Sequence, residues 1–472
     1  MPFPRTSPLF ALTVRRGIDK KGALWHTHGM NTPALERLRA FRQAIYSTFG
    51  CRRDALVEII DALLTTPVIE HPVHLSLAPG FQRTWGSIYD ALNAGTMPLA
   101  GLEHLVAAQP LETSTAWYAV DASVWPRCDA ETSPERGYYH HNTRHSNGQP
   151  IVAGWNYSWL VQLPERCSSW TAPLRVRRIP PGDNVNQVAA EQIRSVLRQG
   201  GAAKSRPTFT FDAGYDPVQL GMALVGLDVR ALVRLRSGRC FYADPPPGPT
   251  GGRPRRHGSK LVCDDPTTWP KPTQEWSTTD ADYGQVQLQC WSGLHAIPQI
   301  HAKRGTRQAR PIVRGTLIRL EVERLPKPTK VPLPLWLWWW GPDPPDLATI
   351  WRVYVARFSI EHTFRFFKQV LKWTTPKLRS PAAADRWTWL VILAYVQLRL
   401  ARPLVVDHRL PWQRPLPAEK LTPARVRRAF SHLLPILGRL ASVPKPCGRS
   451  PGRPKGRRSK PAKRVPAIKL TA

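Results

Sequence analysis

Residues 116–125 read AWYAVDASVW, and residues 207–215 read PTFTFDAGY. In each, an apolar and aromatic run is followed by a carboxylate: Asp121 after WYAV and Asp212 after TFTF. Such runs fit strands buried on both faces. An acid at the C-terminal end of a strand stands where open α/β sheets commonly place their sites. The pattern around them alternates. IVAGWNYSWLVQL (residues 151–163) and Asp228–Arg236 read as strands, Asn184–Gln199 and Pro217–Gly226 as helices. That alternation predicts an α/β domain. Asp216 precedes Pro217 and reads as an N-cap with Pro at the first helical position, so Asp212 is the favoured functional acid of its segment.

Upstream, residues 1–112 read as a helical unit, with apolar residues at helical spacing over Pro33–Thr48, Asp54–Leu64 and Phe81–Asn93. These helices suit binding of DNA ends, or equally packing or dimerisation. Downstream, residues 239–312 break the rhythm with PPPGPTGGRPRRHG and scattered tryptophans, which predicts a mainly β insertion. Strand candidates resume at GTLIRLEVERL (residues 315–325) and LPLWLWWWG (residues 333–341). One long helix is expected over Leu347–Trp373 and another over Ala382–Leu400. The division expected is therefore 1–112, 113–402 with the insertion, and a C-terminal region 403–472. Residues 444–472 carry ten Lys/Arg and no acid, so a disordered basic tail is expected there.

The 472 residues carry 67 Lys+Arg against 33 Asp+Glu, a formal charge of +34. A hydrophobic fraction of 42% is enough for a core, so wholesale disorder is excluded. The charge points to a polyanionic partner, nucleic acid before a membrane surface. No apolar run approaches the roughly 18 to 20 residues of a spanning helix, and the first residues lack a secretory pattern. Seven cysteines with no C-x-x-C pair fit reduced thiols in a cytoplasm. The expected setting is cytoplasmic, associated with the nucleoid.

The expected helix over Leu347–Trp373 carries the sharpest signal. At about 100° per residue, Tyr354, Arg357, Glu361, Arg365 and Lys368 fall within roughly one-quarter of its circumference. A single acid among cations suits a metal-binding carboxylate beside phosphate-holding groups. Three carboxylates can hold two Mg²⁺ ions about 4 Å apart, one activating the attacking oxygen and one stabilising the leaving oxygen. The reaction class this suggests is phosphodiester cleavage or strand transfer on nucleic acid.

Tyr354, Arg357, Glu361 and Lys368 meet the spacing Y-(2)-R-(3)-E-(6)-K. In this the chain resembles the DDE transposases of bacterial insertion sequences that bear that signature. Asp212-Ala213-Gly214-Tyr215 resembles the family's second-acid motif, and Asp121-Ala122-Ser123 its first. The likeness extends over roughly residues 116–400. It implies a ribonuclease-H-like catalytic core, often with a mainly β insertion before the Glu. It implies cleavage of transposon ends and strand transfer into target DNA with two Mg²⁺ or Mn²⁺ ions, by a dimer or larger assembly. By position, Asp121, Asp212 and Glu361 would be the metal ligands. Tyr354, Arg357 and Lys368 would contact phosphates, with Arg365 on the same face. Two further readings stay open: a non-catalytic DNA-binding protein derived from a transposase, and an RNA-directed nuclease.

Other features read more plainly. His140, His141 and His145 lack a fourth ligand at zinc spacing and read as loop or strand residues. Trp336, Trp338 and Trp340 share one strand face, as core packing requires. Gly452-Arg453-Pro454, with Lys455, Arg457 and Arg458 beside it, resembles a minor-groove hook, or equally a plain basic tail that binds phosphates without specificity. Arg253, Arg255 and Arg256 repeat that pattern in a loop expected to face DNA.

Overall fold

The computed structural model describes residues 32–141, 150–199, 205–247, 255–297, 312–326, 331–446, 448, 452, 456 and 461–469. Four helices come first: α1 (Thr32–Thr48), α2 (Arg53–Thr65), α3 (Gly86–Ala94) and α4 (Leu99–Ala107). Then follow β1 (Trp117–Pro126), β2 (Gly137–His140), β3 (Ile151–Gln162), β4 (Ala172–Ile179), α5 (Val185–Gln199), β5 (Thr208–Phe211), α6 (Pro217–Leu224) and β6 (Arg230–Leu235). The strands β7 (Cys240–Tyr242), β8 (Lys260–Val262), β9 (Gln274–Asp280), β10 (Gly284–His295), β11 (Arg314–Val322) and β12 (Leu335–Trp340) come next. The chain closes with α7 (Leu347–Arg357), α8 (Ser359–Gln369), α9 (Pro381–Ala401) and α10 (Pro423–Leu437). None of the described helices is long and apolar enough to cross a membrane.

Among the described residues the strands form one mixed sheet in the order β2-β3-β1-β5-β6-β12-β11-β10-β7-β8, with β4 also on β3 and β9 on β10. β1, β5 and β6 run parallel, while β3 is antiparallel to β1 and β12 to β6. Side chains alternate between the two faces of a strand, so the sheet divides the core into two. Phe209, Phe211, Val233, Trp336 and Trp338 join one cluster, which includes residues of α5 and α6. Trp117, Trp125, Trp159, Leu337 and Trp339 join the other, together with α7 to α10 and the N-terminal helices. Trp336 and Trp338 are thus core residues, as read from sequence.

The helix α9 is buried along nearly its whole length, including Trp387–Leu398. A helix apolar all round requires neighbours on every side. It packs against α1, α2, α3 and α10. Asp216 caps α6 as expected, accepting hydrogen bonds from the backbone N–H groups of Val218 and Gln219. Asp216→Ala should cost about 1 kcal/mol of stability, measurable by urea denaturation.

Several expectations need correction. The helix over Leu347–Trp373 is two helices that meet at Phe358. There the N–H of Phe358 bonds to Val355 and that of Glu361 bonds to Phe358, a tighter i to i−3 winding. Phe81 lies ahead of α3 in a turn closed by its N–H on Ala78. The C-terminal segment is not disordered throughout. Residues 461–469 lie extended along 131–137, with Val465 N–H donating to Glu131 and Ile468 N–H to Arg136. The buried Arg136 guanidinium donates in return to the Val465 carbonyl at 2.7 Å.

Candidate active site

Three neighbouring parallel strands set out the site. In register, Val120 lies beside Phe211, and Phe211 beside Val233. The next residue on each strand is polar: Asp121, Asp212 and Arg234. All three therefore stand at one level of the sheet. Alternation turns them away from the face of Phe209, Phe211 and Val233 and towards the α7–α8 face. Asp121 is mid-strand rather than terminal. β1 runs on to Pro126 because β3 pairs with it over that length, whereas β5 stops at Phe211.

The junction of α7 and α8 supplies the remaining groups. α8 is held down by Trp159, whose ring lies 5.7 Å from Phe364, 5.5 Å from Phe367 and 5.0 Å from Trp373. The buried Thr363 and Thr171 hydroxyls share a 2.9 Å hydrogen bond. Arg357 ends α7, and Glu361 lies in the first turn of α8. Arg357 Nη2 is 3.4 Å from Asp121 Oδ2, 3.5 Å from Asp212 Oδ1 and 3.9 Å from Glu361 Oε1. With all three oxygens around one nitrogen, no two of them are more than about 7.5 Å apart, a span that could enclose a pair of ions.

The acids differ in setting. Asp121 is the most enclosed, with 15% of its side chain exposed against 40% for Asp212 and 50% for Glu361. Burial pushes the Asp121 carboxyl up to about 7, with Glu361 and Asp212 adding to the rise and Arg357 opposing it. Asp212 Oδ1 has Arg357 and Arg234 at 3.5 Å yet accepts no hydrogen bond, although that oxygen is buried. Lys368 lies within electrostatic reach of Asp121 and Glu361, and burial lowers its ammonium pKa. Its Nζ also sits 5.9 Å from the Phe364 ring centre.

The structure thus gathers Asp121, Asp212, Arg357, Glu361 and Lys368. Tyr354 is buried beneath them, edge-on to Phe358, and burial raises its hydroxyl pKa. Arg365 is exposed and makes no ion pair with the three acids. Arg255 and Arg256 lie between β7 and β8. Six strand positions separate β5 from β8, or roughly 30 Å along the sheet at about 4.8 Å per strand. Arg253, Arg453, Lys455, Arg457 and Arg458, like His145, fall outside the described residues.

Arg234 is the group the sequence reading misses. Its signal was present: RALVR ends an apolar run on a charge, as WYAVD and TFTFD do. Beside it a cavity of about 640 Å³ opens, lined by Ala213, Arg234, Arg236, Trp269, Arg319 and Trp336.

The donors are hard oxygens, the class that suits Mg²⁺ or Mn²⁺. The buried, hydrogen-bond-free Asp212 Oδ1 is an acceptor such an ion would satisfy. Among the described residues, no three carboxylate, imidazole or thiol groups are drawn tightly enough to enclose a single ion. The acids fan out around Arg357 instead.

The chain is thus mixed α/β, with Asp121 and Asp212 at neighbouring strands and Glu361 on the facing helix. A family profile described as DDE superfamily endonuclease matches residues 44–296. The match spans more than half the chain, takes in Asp121 and Asp212, and ends before Glu361. The chain belongs to the DDE superfamily endonucleases. No curated protein matches it.

Proposed function

We propose that this endonuclease is a transposase: it cleaves DNA at the ends of a mobile element and joins the freed 3′ end to target DNA. The observation that carries the reading is the convergence of Asp121, Asp212 and Glu361, from two strands and a helix, around one nitrogen. The strand order β4-β3-β1-β5-β6, with only β3 antiparallel to its neighbours, supports a ribonuclease-H-like core. The charge of +34 supports double-stranded DNA as the partner and a nucleoid-associated, cytoplasmic setting. A transposase that handles two DNA ends together would act as a dimer or larger assembly.

Asp121, Asp212 and Glu361 would hold two Mg²⁺ or Mn²⁺ ions. Such ions, when bound, activate the attacking oxygen and stabilise the leaving one. The chain's own groups do the rest. Arg357 and Lys368 balance charge on the phosphate and fix its position. Arg234 steadies Asp212, and its neighbouring cavity gives cationic and aromatic room for the strand beside the cut. Tyr354 acts from below by packing. Water or a 3′-hydroxyl serves as nucleophile, so no covalent enzyme intermediate is needed.

The direct test uses linear DNA carrying the ends that flank the coding region. Nicking at those ends in Mg²⁺, lost in EDTA, is expected, followed by joining to a target plasmid. Uncut ends with intact DNA binding would leave a non-catalytic DNA-binding protein.

The raised Asp121 carboxyl also has a pH signature. The folded, metal-free protein holds this proton more tightly than the unfolded chain, whose carboxyl has its ordinary value near 3.8. Asp121 therefore lowers stability as pH rises from about 4 to about 7, with no further loss above. Thermal melting in EDTA should show this slope in the wild type and a flatter one in Asp121→Asn. Equal slopes would contradict it.

A further inference from the structure

Arg357, proposed to hold a phosphate, is tied first to the acids by its geometry. One nitrogen serves all three carboxylates, at 3.4, 3.5 and 3.9 Å. Only 3% of the Arg357 side chain is exposed, so water screens its contact with the enclosed Asp121 little, and those with the half-exposed Asp212 and Glu361 more. Its Nε makes no hydrogen bond, so the guanidinium is held by charge more than by a full set of directed bonds. Arg234 faces Asp212, and Lys368 faces Asp121 and Glu361, so further cations already oppose these acids. Two divalent ions among these oxygens would stand within a few ångströms of Arg357 Nη2. Like charges at that range in a poorly screened pocket repel strongly. The guanidinium and the ions would therefore disfavour one another at these carboxylates.

We propose that Arg357 is an internal counterion, competing with divalent metal for the three carboxylates and leaving them when a DNA phosphate arrives to receive its guanidinium. The inference rests on the metal-dependent nuclease reading. Arg357 is placed for such an exchange. It is the last residue of α7, and its long side chain can swing without unwinding a helix. Metal and DNA then bind with positive coupling, because each removes the obstacle to the other. DNA-free protein would hold metal weakly, and charging of the site would be confined to the DNA-bound state.

The test measures Mn²⁺ binding to the full-length, DNA-free protein, from the paramagnetic resonance signal of the unbound ion. Arg357→Gln should bind Mn²⁺ at least about tenfold more tightly than the wild type. Adding a short blunt duplex should tighten Mn²⁺ binding more in the wild type than in this variant. Asp121→Asn should lose Mn²⁺ binding. If Arg357→Gln binds no more tightly than the wild type while Asp121→Asn loses the ion, the counterion role is wrong and the metal site stands. Equal Mn²⁺ binding by wild type and Asp121→Asn would overturn the metal site, and the counterion role with it. Should Arg357→Gln not fold, Arg357→Lys decides. Its side chain is shorter and ends in a single ammonium on a flexible stem, so it should hold the three oxygens less well and gain part of the affinity that Arg357→Gln gains, and an unchanged value counts against the proposal.

Discussion

Asp121→Asn is expected to lower Mg²⁺-dependent nicking of end-bearing DNA by about a thousandfold or more. The substitution keeps size and shape and removes only the charge. Asp121 is the most enclosed of the three acids, and its strand is paired on both sides, with β3 and with β5. DNA binding should persist, because a surplus of 34 positive charges is barely altered by one neutralised acid. Single-turnover nicking measured beside a gel-shift titration separates the two effects. Nicking within tenfold of the wild type would remove Asp121 from the chemistry, and the proposed function would lose its carrying observation.

The second large effect concerns stability. Trp159→Ala should destabilise the protein by about 3–5 kcal/mol, the range for deleting a fully buried large aromatic side chain. Trp159 is completely buried and sits opposite Asp121 in the β1–β3 register. Its ring also supports Phe364 and Phe367, which fix the helix carrying Glu361. Nicking should therefore fall even well below the melting temperature. Trp159→Phe should recover much of both. Urea denaturation gives the first quantity, and a loss under about 1 kcal/mol would show that the surrounding rings re-pack without it.

The central sheet is legible wherever a strand is both apolar and punctuated. WYAVD, TFTFD and RALVR declare a strand and a site position together, because the first polar residue of each falls at the same level. The spacing of Arg357, Glu361 and Lys368 is legible as well, and survives the break at Phe358 because the winding only tightens there. Other elements are hidden for physical reasons. β4 reads APLRVRRI, a proline and three arginines that look exposed, yet Arg175 is buried beside Glu103 at 3.4 Å. α10 stands among prolines, with Pro435 inside it, and its local pattern argues against a helix. What stabilises it is tertiary: Phe430 and Leu433 are buried in the cluster that holds α2 and α9. Long-range pairing such as Arg136 with Val465 leaves no local trace at all.

That last pairing has a practical meaning. β2 pairs with β3 along one margin, and the final described residues cover the other, where Ile468 bridges to Gly137. A bare strand margin is a template for another chain, and proteins commonly guard it. Here the guard is a segment more than 300 residues away along the chain from the strand it covers. A shortened version, trimmed for convenience at the bench, would uncover that margin and invite clumping that says nothing about the catalyst itself.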